Sequence, residues 1–239
     1  MRPGLDLLNS VSQMGTGEVY DLGCGNGAMG DALRARAGGR EIIGVDASPA
    51  MLEKARQTHA YGKLQQVDIR DWYPAGKPGL IFSNAVLHWV GDHEKLMPRL
   101  ASLLGKGGTL AVQMPHQNKA PSHRVWLSLA QELFPGRVGK MGTPGVMAPV
   151  CYEELLAGKG QFRLWETEYY QRLVAEGNSH PVRRFTESTY ARPVLQALDE
   201  AEKGELIRRY EEVMRTAYPV RSDGSVLFPF RRLFFTLTV

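Results

Sequence analysis

The sequence predicts an α/β protein built on a doubly wound, mostly parallel, seven-stranded sheet, with a helical cap in its C-terminal part. Three observations carry this reading. Short apolar runs alternate with helix-length segments over residues 18–114. The first run opens directly into a glycine-rich turn. Two further β-type runs, at 162–173 and 226–239, come late and can complete a sheet that the earlier strands begin. Strands joined through helices lie parallel with both faces covered, and right-handed crossovers wind them doubly.

Each element follows from local chemistry. Pro3 to Val11 reads as a brief helix with Leu5, Leu7, Leu8 and Val11 partly buried, and Gln13 to Gly17 as a turn. Glu18 to Leu22 is the first strand and Gly23 to Gly27 the turn after it. Ala28 to Ala37 is a helix that Gly38 and Gly39 end. Glu41 to Val45 is the second strand, closing on Asp46; Ser48 caps the next helix and Pro49 sits in its first turn. That helix runs to about Thr58. Leu64 to Val67 is the third strand, closing on Asp68, and Leu80 to Ser83 the fourth. A helix from Asp92 through Leu104 leads to the fifth strand, Thr109 to Met114.

Beyond Met114 the pattern changes. A polar loop, Pro115 to Pro121, precedes a helix over Val125 to Phe134 and a glycine- and proline-rich loop over 137–149. A short helix at Tyr152 to Leu156 and a strand at Phe162 to Leu173 follow. Pro181 to Ala217 is mostly helical, with a break near Pro193. Asp223-Gly224 makes a turn into a closing strand that carries Phe228, Phe230, Phe234 and Phe235.

Composition narrows the class. Of 239 residues, 43% are hydrophobic, enough for a sizeable core. No run of about 20 apolar residues exists, so no membrane span is expected, nor does the N-terminus show a signal-peptide segment. Cys24 and Cys151 are far apart, which argues against a disulfide scaffold and for a cytoplasmic protein. The net charge of +4 suits small anionic partners. No basic stripe with interleaved aromatics points to nucleic acid. No His-x-x-x-His or Cys-x-x-Cys spacing points to a metal.

The sharpest signal is Val19-Tyr20-Asp21-Leu22-Gly23-Cys24-Gly25-Asn26-Gly27. A strand feeding a glycine turn and then a helix lets a nucleotide-type ligand approach the backbone closely. The spacing is Gly-x-Gly-x-Gly, a poor match to a dinucleotide pyrophosphate site. Asp21 would repel phosphate and attract an ammonium, so a cofactor with an amino-acid end is expected. Asp46 is placed to accept both ribose hydroxyls. Met51 is placed to pack on an adenine ring, Asp68 to accept from its amino group with Ile69 alongside, and Asn84 to meet the amino-acid end. Each has a plainer alternative: a ligand-free turn, a helix N-terminal charge for Asp46, a core methionine for Met51.

These stretches resemble a class I S-adenosylmethionine-dependent methyltransferase: Asp21 to Gly27, Gly44-Val45-Asp46-Ala47-Ser48-Pro49-Ala50-Met51, and Asp68-Ile69. Over nearly the whole chain the sequence is similar to the trans-aconitate 2-methyltransferase family. The stretches that carry this are Gln66 to Trp72, Leu110 to Pro115, Tyr169-Tyr170 and Phe230 to Phe234. The resemblance implies S-adenosylmethionine as cofactor, held by Asp21, Gly23, Gly25, Asp46, Ala47, Met51, Asp68, Ile69 and Asn84. It implies methyl transfer to a carboxylate of a small di- or tricarboxylic acid. A single domain over 1–239 is expected, with a cofactor half at 1–115, an acceptor half at 116–239 and the cap at about 175–220. His88 stands where the family carries glutamine, and the family's Thr-Gly step is missing around Ser188-Thr189-Tyr190. The family also carries about twenty more residues upstream.

On the acceptor side the expected residues are His88, Trp89, His180, Arg183 and Arg231, because ligands in such sheets lie beyond the carboxyl ends of the strands and arginine grips carboxylates bidentately. A carboxylate acceptor is already ionised at neutral pH, so no general base and no catalytic residue is assigned. The alternatives are transfer to another small oxygen, nitrogen or carbon acceptor, or an inactive cofactor-binding paralogue. A monomer or weak dimer is expected.

Overall fold

The computed structural model describes residues 1–137, 145–175, 177–187 and 189–239. Most of the loop at 137–149, and Ser188, therefore lie outside the described residues. The chain falls into two compact units. The first comprises Met1–Pro115, Pro144–Thr167 and Arg232–Val239, and the second His116–Thr143 and Glu168–Arg231. The first unit thus holds more than the 1–115 half expected from sequence.

In chain order the first unit has α1 (Arg2–Ser10), β1 (Val19–Leu22), α2 (Gly30–Arg36), β2 (Ile42–Asp46), α3 (Pro49–Arg56), β3 (Lys63–Gln66) and β4 (Leu80–Asn84). A single 3-10 turn, Leu87–Trp89, leads to α4 (His93–Leu103) and β5 (Thr109–Pro115). In the second unit α5 (Pro121–Leu133) follows; α6 (Pro149–Leu156) returns to the first. The long strand β6 (Gln161–Val174) leads to α7 (Pro181–Glu187), α8 (Arg192–Gln196), α9 (Glu200–Ala217) and β7 (Ser225–Thr238).

The seven strands are ordered β3-β2-β1-β4-β5-β7-β6. The pairs among β1 to β5 are parallel, and β7 runs antiparallel to β5 with Gln113 opposite Phe234. Strand order therefore reverses beside β1, the switch point at which open α/β sheets bind ligands. β1 is buried along its length, as a central parallel strand covered on both faces must be. One face packs a core of Tyr20, Leu22, Ile43, Val45, Ile81, Val112 and Phe235 against Leu96, Met97 and Leu100 of α4. Ser48 caps α3, its Oγ accepting from the Met51 N–H, with Pro49 at the first turn as expected.

The second unit has its own core, where Trp126 of α5 stacks on Tyr210 of α9 at 3.7 Å between ring centres. Its helical stretch is interrupted twice, giving α7, α8 and α9 where one break was expected. Asp199 and Glu202 cap α9 reciprocally, which fixes where that helix begins.

Candidate functional site

The glycine turn after β1 is built as its composition demands. Gly23, Gly25 and Gly27 all have positive φ, at 72°, 53° and 82°, a region where side chains are strained. At Gly23 a Cβ would also collide with Val86. At Gly25 it would meet nothing, so that glycine leaves open space above the turn. The Gly23 and Cys24 N–H groups donate to the Val45 carbonyl at 2.7 and 3.0 Å, tying the turn to the end of β2.

Asp46 organises the next layer. Its Oδ2 accepts from the Gly25 N–H at 2.9 Å and its Oδ1 from the Ser48 N–H at 2.8 Å. Each carboxylate oxygen keeps a lone pair for a ligand. Asp68 follows β3; its carboxylate accepts from Arg70 through Nε at 3.0 Å and a terminal nitrogen at 2.7 Å. That guanidinium and the Arg70 N–H hold the Asp68 carboxyl down at about 2. A cavity of about 190 Å³ is lined by Gly23, Asp46, Ala47, Asp68, Ile69, Val86 and Trp89, together with Arg70 and Val90.

The cavity brings together five residues expected to hold the cofactor: Gly23, Asp46, Ala47, Asp68 and Ile69. Asp21, Gly25, Met51 and Asn84 lie outside its lining. Asp21 is 2 % exposed and accepts from the Tyr61 hydroxyl at 2.7 Å. Burial, with a smaller push from the Asp46 carboxylate, raises its carboxyl to about 7 against a lowering by Tyr61. Tyr61, forty residues on, carries no sequence signal of this role. Met51 is exposed on α3. Asn84 ends β4, and the next residue, Ala85, takes φ 59°. A non-glycine in that region marks a strained backbone beside the site.

The acceptor-side residues divide between the units. Trp89 is 62 % exposed and lines the same cavity as Gly23, Asp46 and Asp68. His88 is buried beside it, ring centres 4.6 Å apart. Burial, then the positive charge of Arg232, pushes the His88 imidazole down to about 3, so it is neutral at physiological pH. In the second unit His180 is buried, with Nε2 at 3.1 Å from the Tyr218 carbonyl and Nδ1 accepting from the Val182 N–H. Arg183 donates to Glu211 at 2.8 Å, to Glu187 at 2.7 Å and to Ser179. Both side chains are thus occupied inside their own unit, where the sequence had them gripping an acceptor. Arg231 lines a cavity of about 310 Å³ with His116, Lys119, Glu168 and Tyr218, its guanidinium 3.7 Å from Glu168.

The donor set suits S-adenosylmethionine. It offers paired carboxylates at the ends of β2 and β3, a glycine turn with open space at Gly25, and an apolar wall of Ile69, Val86 and Trp89. Among the described residues, no group of three His, Cys, Asp or Glu side chains is placed to hold a metal ion. No described helix is long and apolar enough to cross a membrane.

Comparison with known proteins agrees with this geometry. Residues 6–143 match a family described as a methyltransferase domain. A trans-aconitate 2-methyltransferase of Azoarcus sp. (strain BH72) is 38% identical over 234 residues, covering 98% of this chain and 91% of the relative. One from Klebsiella pneumoniae (strain 342) is 36% identical over 235 residues, covering 98% and 90%. Among solved structures, a putative methyltransferase from Bacillus halodurans superposes with a TM-score of 0.63 at 15% identity, covering 100% of this chain and 99% of that one. The YcgJ protein of Bacillus subtilis gives 0.62 at 15%, covering 100% and 98%. The glycine turn, the two carboxylates at the strand ends and near-full-length relatives at more than a third identity agree: the chain is an S-adenosylmethionine-dependent methyltransferase of class I fold and belongs to the trans-aconitate 2-methyltransferase family.

Proposed function

We propose that the protein transfers the methyl group of S-adenosylmethionine to a carboxylate oxygen of a small tricarboxylic acid such as trans-aconitate, giving a monomethyl ester. The observation that carries this reading is identity of 36–38% over 98% of the chain to relatives bearing that name.

The chain's residues divide the work. Asp46 and Asp68 hold the nucleoside end in the cavity against Ile69, Val86 and Trp89. The turn at Gly23 to Gly27 brings backbone against the rest of the cofactor. When bound, the cofactor supplies an electrophilic methyl on a sulfonium sulfur. Transfer forms one O–CH3 bond and breaks one S–CH3 bond. The electron pair stays on sulfur, and the acceptor's negative charge is neutralised with no proton to move. The protein therefore needs alignment and exclusion of water more than a base. His88, held neutral, is suited to donate one hydrogen bond and unsuited to act as a proton shuttle at neutral pH.

Of the remaining acceptor residues, Arg231 beside Lys119 keeps an exposed cationic rim suited to a polyanion. His180 and Arg183 are left out of this reading because their polar atoms are occupied. The test is incubation with methyl-labelled cofactor and a panel of di- and tricarboxylates, with the ester identified by mass. Ester formed from trans-aconitate in preference to the rest of the panel is the expected result. Methylation of amines or phenols alone would refute it.

A further inference from the structure

Gln113 lies in the middle of an apolar run, Leu110-Ala111-Val112-Gln113-Met114, and is fully buried. Its backbone is satisfied, the carbonyl accepting from the Ala85 N–H at 2.9 Å. Its side chain is not: among the described residues neither Oε1 nor Nε2 has a hydrogen-bond partner. A buried amide left so costs about 1–3 kcal/mol per unmet group, and a leucine of similar size would incur no such cost. Among the described residues Asn84 Oδ1 and His88 Nδ1 are likewise buried without a hydrogen-bond partner, at the end of β4 and in the turn after it.

The register places these groups. Asn84 pairs with Gln113 across β4 and β5, and Gln113 with Phe234 across β5 and β7. Directly paired residues project to the same face of a sheet, so the two amides share a face. Arg232, two residues from Phe234 along β7, projects to it as well. Helix α1 packs on that face, with Gly4 so close that a Cβ there would lie 3.1 Å from the Asn84 carboxamide. Neighbouring strands are about 4.8 Å apart. The cavity lies over the ends of β3, β2, β1 and β4, where Asp68, Asp46, Gly23 and Val86 line it. Asn84 ends β4, and Gln113 lies one strand, about 5 Å, beyond it. Gln113 therefore stands on the strand next to the one whose end borders the cavity.

We propose that Gln113 is an acceptor-binding residue: its carboxamide N–H donates to the carboxylate that receives the methyl group, alongside His88. This deepens the carboxylate reading above and rests on it. The chemistry favours an amide over a cation at this position. A guanidinium would bind both carboxylate oxygens and draw off the electron density that the attacking oxygen needs. A neutral amide holds the other oxygen and leaves the attacking one free. Gln113 is fully buried in this arrangement, so binding the acceptor requires the cover over this face of the sheet to move.

The test uses the full chain with Gln113→Leu, Gln113→Glu and, as a milder change, Gln113→Asn. Cofactor affinity is read by calorimetry, kcat/KM on trans-aconitate by product mass, and stability by thermal melting. Expected are cofactor Kd within about twofold of wild type and kcat/KM down at least about tenfold in Leu. In Glu, where two negative charges meet, the drop is at least about a hundredfold, and Asn, which keeps the amide, falls between wild type and Leu. The Leu variant melts no lower than wild type, because it removes an unpaired buried amide, whereas a purely structural glutamine would leave a less stable protein. Unchanged kcat/KM in Leu and Glu, or cofactor Kd weakened as much as kcat/KM, overturns the assignment. Wild-type turnover with no carboxylate at all overturns the carboxylate reading and this proposal together; wild-type turnover with unaltered variants overturns only the proposal.

Discussion

Asp46 Oδ2 accepts from the Gly25 N–H at 2.9 Å, joining the acid at the end of β2 to the glycine turn after β1. The same carboxylate therefore shapes the turn and faces the cavity. Asp46→Ala removes both roles. Hydrogen bonds to a charged group contribute about 1.5–3 kcal/mol each, so cofactor affinity falls at least about a hundredfold. Asp46→Asn keeps one acceptor oxygen for the turn and loses less. Calorimetric titration with S-adenosylhomocysteine checks this; an alanine variant binding within threefold of wild type would remove Asp46 from the site.

Burial of Asp21, against the opposing hydrogen bond from Tyr61, sets a pH dependence. The folded carboxyl of Asp21 titrates at about 7, above its ordinary 3.8. Between those values the folded chain keeps a proton that the unfolded chain has released. Stability from this group is thus full below about pH 4, falls as pH rises and is gone above about 7. Asp21→Asn does not titrate. Its stability relative to wild type therefore rises by about 2–3 kcal/mol from pH 5 to pH 8. Urea unfolding at the two pH values measures the difference, and an equal gap at both would show that Asp21 titrates normally.

The parts of the site legible in the sequence are the local ones. The strand, turn and helix around Gly23 to Gly27 lie within a few residues of one another, and the acids that end β2 and follow β3 sit at corresponding positions in a repeating pattern. Groups that depend on distant partners were not legible. Arg183 reads as a ligand-binding cation until the fold brings Glu211 of α9 to it, 28 residues later. Tyr61 reads as a loop aromatic until it meets Asp21. Trp89, expected beside the acceptor because it follows β4, is carried by the turn at Leu87–Trp89 to the cavity that Asp46 and Asp68 line, a neighbourhood that its position in the sequence does not reveal. Gln113 did leave a trace, a lone amide in an apolar strand, but the fact that matters, a side chain with no hydrogen-bond partner among the described residues, exists only in three dimensions.

His88 sets a second, opposite pH dependence. Its folded imidazole titrates at about 3, below the ordinary 6.5. Between these values the unfolded chain takes up a proton that the folded chain refuses, so stability falls as pH drops below about 6.5. His88→Gln removes that acid sensitivity while keeping an N–H donor. The loss of stability from pH 7 to pH 4 should be about 3 kcal/mol smaller in the variant. Equal acid loss in both proteins would mean that His88 is not held neutral by its surroundings. The same substitution should leave the pH profile of kcat unchanged between pH 6 and 9, since a neutral imidazole contributes no titration there.

Trp89 gives the cofactor cavity an optical reporter. Of four tryptophans, Trp72 and Trp126 are fully buried in the two cores, and Trp165 stacks on Phe234 at 5.1 Å. Trp89 is 62 % exposed and lines the cavity. Ligand binding there replaces water on its ring, and the face of an indole attracts a nearby cation. Cofactor addition should therefore quench tryptophan emission, with most of the change lost in Trp89→Phe. Removing the wall altogether, in Trp89→Ala, should weaken S-adenosylmethionine more than S-adenosylhomocysteine, because only the first carries the sulfonium charge. Cation–aromatic attraction of about 0.5–1 kcal/mol at exposed sites predicts a difference of about two- to fivefold between the two ligands. Equal weakening of both would make Trp89 an apolar wall without a preference for charge. An unchanged fluorescence response in Trp89→Phe would place the ligand elsewhere.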